Sequence, residues 1–168
     1  MKYIKRFESI ITELNYSSEE LYSLPELPDT LKILLCHHNK LEYLPELPDT
    51  LVELFCGNNK LKTLPILPDS LTDLMIHNNN LSELPKLPES LINFSCGNNN
   101  LTEIPKLPNN LVYFLCDNNN LSELPELPES VREFSCVNNN LPYRDLDGYW
   151  EWFYDNNPVR KQAKKFNL

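Results

Sequence analysis

The side chains able to do chemistry are few in this chain, and most recur at a fixed spacing. Cys36, Cys56, Cys96, Cys116 and Cys136 lie 20 residues apart or a multiple of it. Thiols so spaced would suit a metal string or a set of disulfides. Ile76, however, fills the same slot in one copy, so the slot asks for a modest apolar group, and a buried free thiol behaves as one. The five Cys are an odd number, and no apolar run of signal-peptide length follows the basic start Met1-Lys2-Tyr3-Ile4-Lys5-Arg6. Reduced thiols and a cytoplasmic location are therefore expected. His37 and His77 occupy equivalent slots two copies apart, roughly 10 Å at strand spacing. Zinc ligands must converge to about 3–4 Å, and Cys36 falls on the opposite face from His37. His38 completes the histidines and makes no site with them. Gly57, Gly97 and Gly148 stand alone, so no phosphate loop forms. Asp145-Leu146-Asp147-Gly148 opens like a calcium loop but lacks the remaining ligands. No nucleophile, base and acid set is recognisable, and the expectation is a protein without catalytic residue, metal or cofactor.

What positions these residues is a repeat. From Leu21 a 20-residue unit recurs six times, starting at Leu21, Leu41, Leu61, Leu81, Leu101 and Leu121 without an insertion. It reads L-x-x-L-P-x-L-P-x-[ST]-L-x-x-[LF]-x-C-x-N-N-x. Around positions 14 to 16 apolar and variable residues alternate, which marks a half-buried strand. Pro at positions 5 and 8 removes two donors and fixes φ, leaving an extended, polyproline-like return path rather than a helix. Each unit is one coil, and stacked coils align their strands in a parallel sheet of about 4.8 Å spacing. Leu at positions 1, 4, 7 and 11, with positions 14 and 16, forms the expected core. Asn39, Asn59, Asn79, Asn99, Asn119 and Asn139 hold position 19 in every unit. A buried amide column survives only if hydrogen-bonded, so these are expected to form a structural ladder.

The LPELPDTL and LPELPESV segments and the ending Phe55-Cys56-Gly57-Asn58-Asn59 carry a resemblance. They are similar to the bacterial-type, 20-residue LPxLPxxL class of leucine-rich repeat, found in effectors of enteric pathogens and in giant-virus proteins. The resemblance spans Leu21 to Leu141. It implies a solenoid with a curved parallel sheet on its concave face, working by protein recognition. Some relatives carry a downstream ubiquitin-ligase domain with a catalytic Cys. The 27 residues after Leu141 contain none, so that activity is not expected here.

A net charge of −9 argues against nucleic acid or an anionic membrane as partner, because both require a cationic face. No apolar run approaches the ~20 residues of a membrane span. Solenoid ends need caps. Tyr3, Ile4, Phe7, Ile10, Ile11 and Leu14 form one stripe at helical spacing, which predicts a helical cap over 3–14 within an N-terminal segment 1–20. The repeats occupy 21–140, and an aromatic-rich cap with a basic tail, Arg160 to Lys165, occupies 141–168. Sequons such as Asn80-Leu81-Ser82 read as by-products of an Asn-rich repeat.

The variable strand positions remain as a contact surface. Position 15 places Leu35, Phe55, Met75 and Leu115 on the concave face; position 13 adds Ile33 and Tyr113, and position 12 adds Val52, Ile92 and Val112. A contiguous exposed apolar strip marks a contact surface. The function expected is binding of a partner protein across this face. Self-association into a homo-oligomer through the strip or the solenoid ends is the alternative.

Overall fold

The computed structural model describes residues 10–158 together with residues 160 and 161. Seven three-residue strands, β1 (Glu13–Asn15), β2 (Ile33–Leu35), β3 (Glu53–Phe55), β4 (Asp73–Met75), β5 (Asn93–Ser95), β6 (Tyr113–Leu115) and β7 (Glu133–Ser135), precede one helix, α1 (Leu146–Asn156). The strands make a single parallel sheet in chain order. Equivalent positions pair throughout, so Leu35 faces Phe55 and Phe55 faces Met75. Identical unit length is the physical reason: one residue more or less in any coil would turn every later side chain to the wrong face.

The core is a set of columns. Leu at position 1 of the second to sixth units and at position 11 of the first five is fully buried, as are Leu34, Leu54, Leu74, Phe94 and Phe114 at position 14, whereas Leu21 at the open end is only partly buried. In the second half that last column becomes aromatic, with Phe94 stacked on Phe114 at 5.5 Å and Phe114 against Phe134 at 5.7 Å. The return path contains no regular element. Its turn closes when the position 11 amide donates to the position 8 prolyl carbonyl, as Leu31 N does to Pro28 O at 3.0 Å. Hydroxyls at position 10 tie this turn to the coil before it: Thr50 Oγ1 donates to Leu31 O at 2.7 Å and Ser70 Oγ to Leu51 O at 2.5 Å.

At the N-terminus the structure departs from the expected helix. Residues 1–9 lie outside the described part, but Ile10 to Thr12 are not helical and Glu13–Asn15 pair with Ile33–Leu35. Lys32 N and Ile33 N both donate to Thr12 O, at 2.8 and 3.0 Å. Ile11-x-x-Leu14 is half a repeat, placed 20 residues before Leu31-x-x-Leu34. Pairing along a preformed sheet edge satisfies its backbone, whereas a helix of about a dozen residues is marginal alone. The solenoid thus has one more strand than the six units supply.

The C-terminal end closes differently. Residue Asp145 bridges Ser135 in antiparallel sense, and Cys136 N donates to Arg144 O at 3.0 Å, so the last sheet edge is occupied. Asp145 then caps α1, its Oδ1 accepting from Gly148 N at 2.9 Å, which is the work of the Asp-Leu-Asp-Gly run. Tyr149 and Phe153 are buried beneath α1, and Tyr149 Oη accepts from Leu127 N at 2.9 Å. Tyr143, Trp152 and Phe153 surround Tyr149, and its ring meets Phe134 at 6.2 Å, so the aromatic column runs unbroken into the cap.

Candidate interaction surface

The sheet face opposite the core is made by positions 13 and 15 of each strand. Leu35, Phe55 and Met75 are half-buried and lie side by side in register, with Ile33 two residues before Leu35 on the same strand. Ser95, itself buried, interrupts the column, and Leu115 stands between Ser95 and Ser135. The structure therefore brings Ile33, Leu35, Phe55 and Met75 together and leaves Leu115 apart from them. Val52, Ile92 and Val112 sit one residue before their strands. Each position 12 carbonyl accepts two amides of the next coil, as Lys32 O does from Val52 N and Glu53 N at 2.8 and 3.0 Å. This irregular step breaks the alternation and leaves Ile92 and Val112 39% and 37% exposed at the rim. Among the described elements each strand touches only its sheet neighbours, and α1 touches only β7.

Charge on this face is uneven. Glu53, Asp73, Asp117 and Glu133 are acidic. Asp73 is held by Thr72 Oγ1 and Asn93 Nδ2, both at 2.7 Å. Asp117 Oδ1 accepts from the Ser135 hydroxyl and from Val137 N, the latter at 2.9 Å. Tyr113 pairs laterally with Glu133, and burial, then Glu133 and Asp117, push its phenol above the usual tyrosine range. Arg132 is turned away, its Nη1 donating to Glu129 O and Val131 O at 2.6 and 3.1 Å.

One flank of the sheet carries the asparagine columns. Asn59 Nδ2 donates to Cys36 O and Cys56 O, both at 3.0 Å, while its Oδ1 accepts from Leu41 N at 3.0 Å. One amide thus joins the strand ends of two coils to the start of its own unit. Asn39, Asn79, Asn99, Asn119 and Asn139 repeat the pattern. Position 18 has a separate reason for its asparagines: His38, Asn58, Asn78, Asn98, Asn118 and Asn138 all have φ between 53° and 58°. That left-handed region is costly for most side chains and cheapest, after glycine, for asparagine. The sequence signal is the doubled Asn, whose first member takes the left-handed turn and whose second forms the ladder.

The thiols and imidazoles are placed as follows. All five Cys are buried and unpaired. Burial pushes Cys96 and Cys116 well above the ordinary thiol range and Cys136 up to about 12, which removes nucleophilic thiolate. Among the described residues no group of three or more His, Cys, Asp or Glu is disposed to hold a metal ion. The His77 ring leans over Gly57, where an added Cβ would lie 2.7 Å from Cε1. This brings it under the influence of His38 and His37, although they lie two coils away. Gly57 between two His-bearing slots was the available signal.

A continuous parallel sheet of 20-residue coils, with an Asn ladder and an LPxLP return, defines a leucine-rich-repeat solenoid of the bacterial type. The comparisons with solved structures agree. YopM from Yersinia enterocolitica WA-314 is 40% identical, with a TM-score of 0.77, over 77% of this chain and 29% of that one. A Shigella effector LRR domain is 36% identical, with a TM-score of 0.75, over 81% of this chain and 62% of its own. YopM of Yersinia pestis, a leucine-rich effector protein, is 38% identical, with a TM-score of 0.62, over 77% and 44%. The chain therefore spans less than two thirds of each. No protein-family model and no curated protein matches it.

Proposed function

We propose that this protein is a non-catalytic interaction module that binds a partner protein through the concave sheet face. The observation that carries this is the in-register strip Leu35, Phe55 and Met75, which no described element crosses. Leucine-rich-repeat effector neighbours support a protein-interaction module in general. The physical reasoning supplies the rest. Coils locked by the Asn ladder hold the strip in one geometry, so binding would lose little conformational entropy. Half-buried Phe55 and Met75 offer the apolar contact that anchors interfaces, and the surrounding acids favour a partner with a basic rim. No helix among the described residues is long and apolar enough to cross a membrane.

The test is affinity capture by wild type against the triple variant Leu35→Asp, Phe55→Asp, Met75→Asp, with far-UV spectra showing both folded. A protein retained by wild type and lost by the variant is the expected result. Equal capture by both would move the working surface off the concave face.

A further inference from the structure

The concave face has two chemically different ends. Its first coils present Leu35, Phe55 and Met75, whereas its last present Tyr113 and Glu133 side by side with Asp117 near. At the apolar end, Asp73 is already engaged by Thr72 and Asn93. At the polar end, Arg132 spends its guanidinium on turn carbonyls. Among the described residues Glu133 has no ion pair or side-chain hydrogen bond, so an aromatic ring flanked by carboxylates is left without a counter-charge.

The backbone of the sheet restricts what can lie across it. Strand amides and carbonyls are used in the seven-stranded ladder. A segment crossing over them gains no main-chain partners and must satisfy its own, which a helix does and an extended peptide does not. From β3, which carries Phe55, to the space between β6 and β7 is three to four strand spacings, about 17 Å. At 1.5 Å per residue this is about 11 residues, or three helical turns, which returns to the same helix face.

Resting on the concave-face reading, we infer that the partner element is an amphipathic α-helix. It places an apolar i, i+3, i+7 stripe over Leu35, Phe55 and Met75, and an Arg or Lys about three turns away over Tyr113 and Glu133.

The probe is a phage-displayed library of 20-residue peptides of unconstrained sequence, selected on the full chain and re-screened on Phe55→Asp, Glu133→Arg and Glu133→Gln. Glu133 is exposed, so its substitution leaves the coil intact, and circular dichroism checks this. Expected binders carry the apolar stripe and a basic residue 10–12 positions from it. They lose at least tenfold affinity on Glu133→Arg, less on Glu133→Gln, and weaken with added salt. Binders lost on Phe55→Asp but indifferent to Glu133→Arg, or rich in Pro, overturn the helix and its cation while leaving the concave face standing. Failure to select any binder sensitive to Phe55→Asp overturns both.

Discussion

Replacing Asn79 with Ala tests the claim that the Asn column holds the coils in register. The side chain makes three short bonds and one long one: Nδ2 donates to Cys56 O at 3.1 Å, to Ile76 O at 3.0 Å and, more weakly, to His77 O at 3.4 Å, and Oδ1 accepts from Leu61 N at 3.0 Å. The two carbonyls each keep a second donor, Cys56 O from Asn59 and Ile76 O from Asn99. Leu61 N keeps nothing, and Leu61 is fully buried. An orphaned buried amide costs about 1–3 kcal/mol, and each weakened carbonyl about 0.5–1 kcal/mol. The expected loss is therefore about 2–5 kcal/mol, read as a lowered urea midpoint. Amide hydrogen exchange adds a local readout, with protection lost first at Leu61. The neighbouring Asn78 supplies the contrast. Its φ of 53° makes Asn78→Gly nearly neutral, and Asn78→Ala should cost about 1 kcal/mol. An Asn79→Ala variant that loses less than 1 kcal/mol and keeps Leu61 protected would refute the ladder as the bond between coils.

Four further outcomes follow from the same geometry. Native protein at pH 8 should resist Ellman's reagent at all five Cys, because burial holds Cys96, Cys116 and Cys136 in the thiol form, and should release five equivalents in urea. His77 is held below the ordinary imidazole range, first by burial and then by His38 and His37. With the folded pKa below the unfolded one, stability is full above about pH 6.5 and declines as pH falls through that value; the decline should be shallower in His77→Asn. Gly57→Ala should destabilise by about 1 kcal/mol, since its Cβ meets the His77 ring, and the loss should vanish in Gly57→Ala, His77→Ala. Tyr149→Phe removes the acceptor of Leu127 N and should cost about 1–3 kcal/mol in urea unfolding.

Much of the architecture is legible because each coil is a copy of the last in unchanged length. Position 14 reads Leu, Leu, Leu, Phe, Phe, Phe down the chain, and its burial follows directly from strand alternation. Local ambiguity hid the rest. Ile10, Ile11 and Leu14 suit a helix as well as a half-coil, and only a lateral partner at Ile33–Leu35 decides between them. The Asp145 run mimics an ion loop because cap and ligand chemistry use the same carboxylates. For the concave face, the column Leu35, Phe55 and Met75 was visible in the repeat, but the neutralisation of Asp73 and the turning away of Arg132 depend on side-chain placement that spacing does not encode.

Site-specific photo-crosslinking tests the concave-face proposal most directly. A photoreactive phenylalanine is placed at Phe55 on the concave strip in one variant and at Ile66, 87% exposed on the convex return path, in another. Irradiation with cell lysate should give a discrete protein adduct from position 55 and none from position 66. An adduct confined to position 66 would contradict the concave-face account.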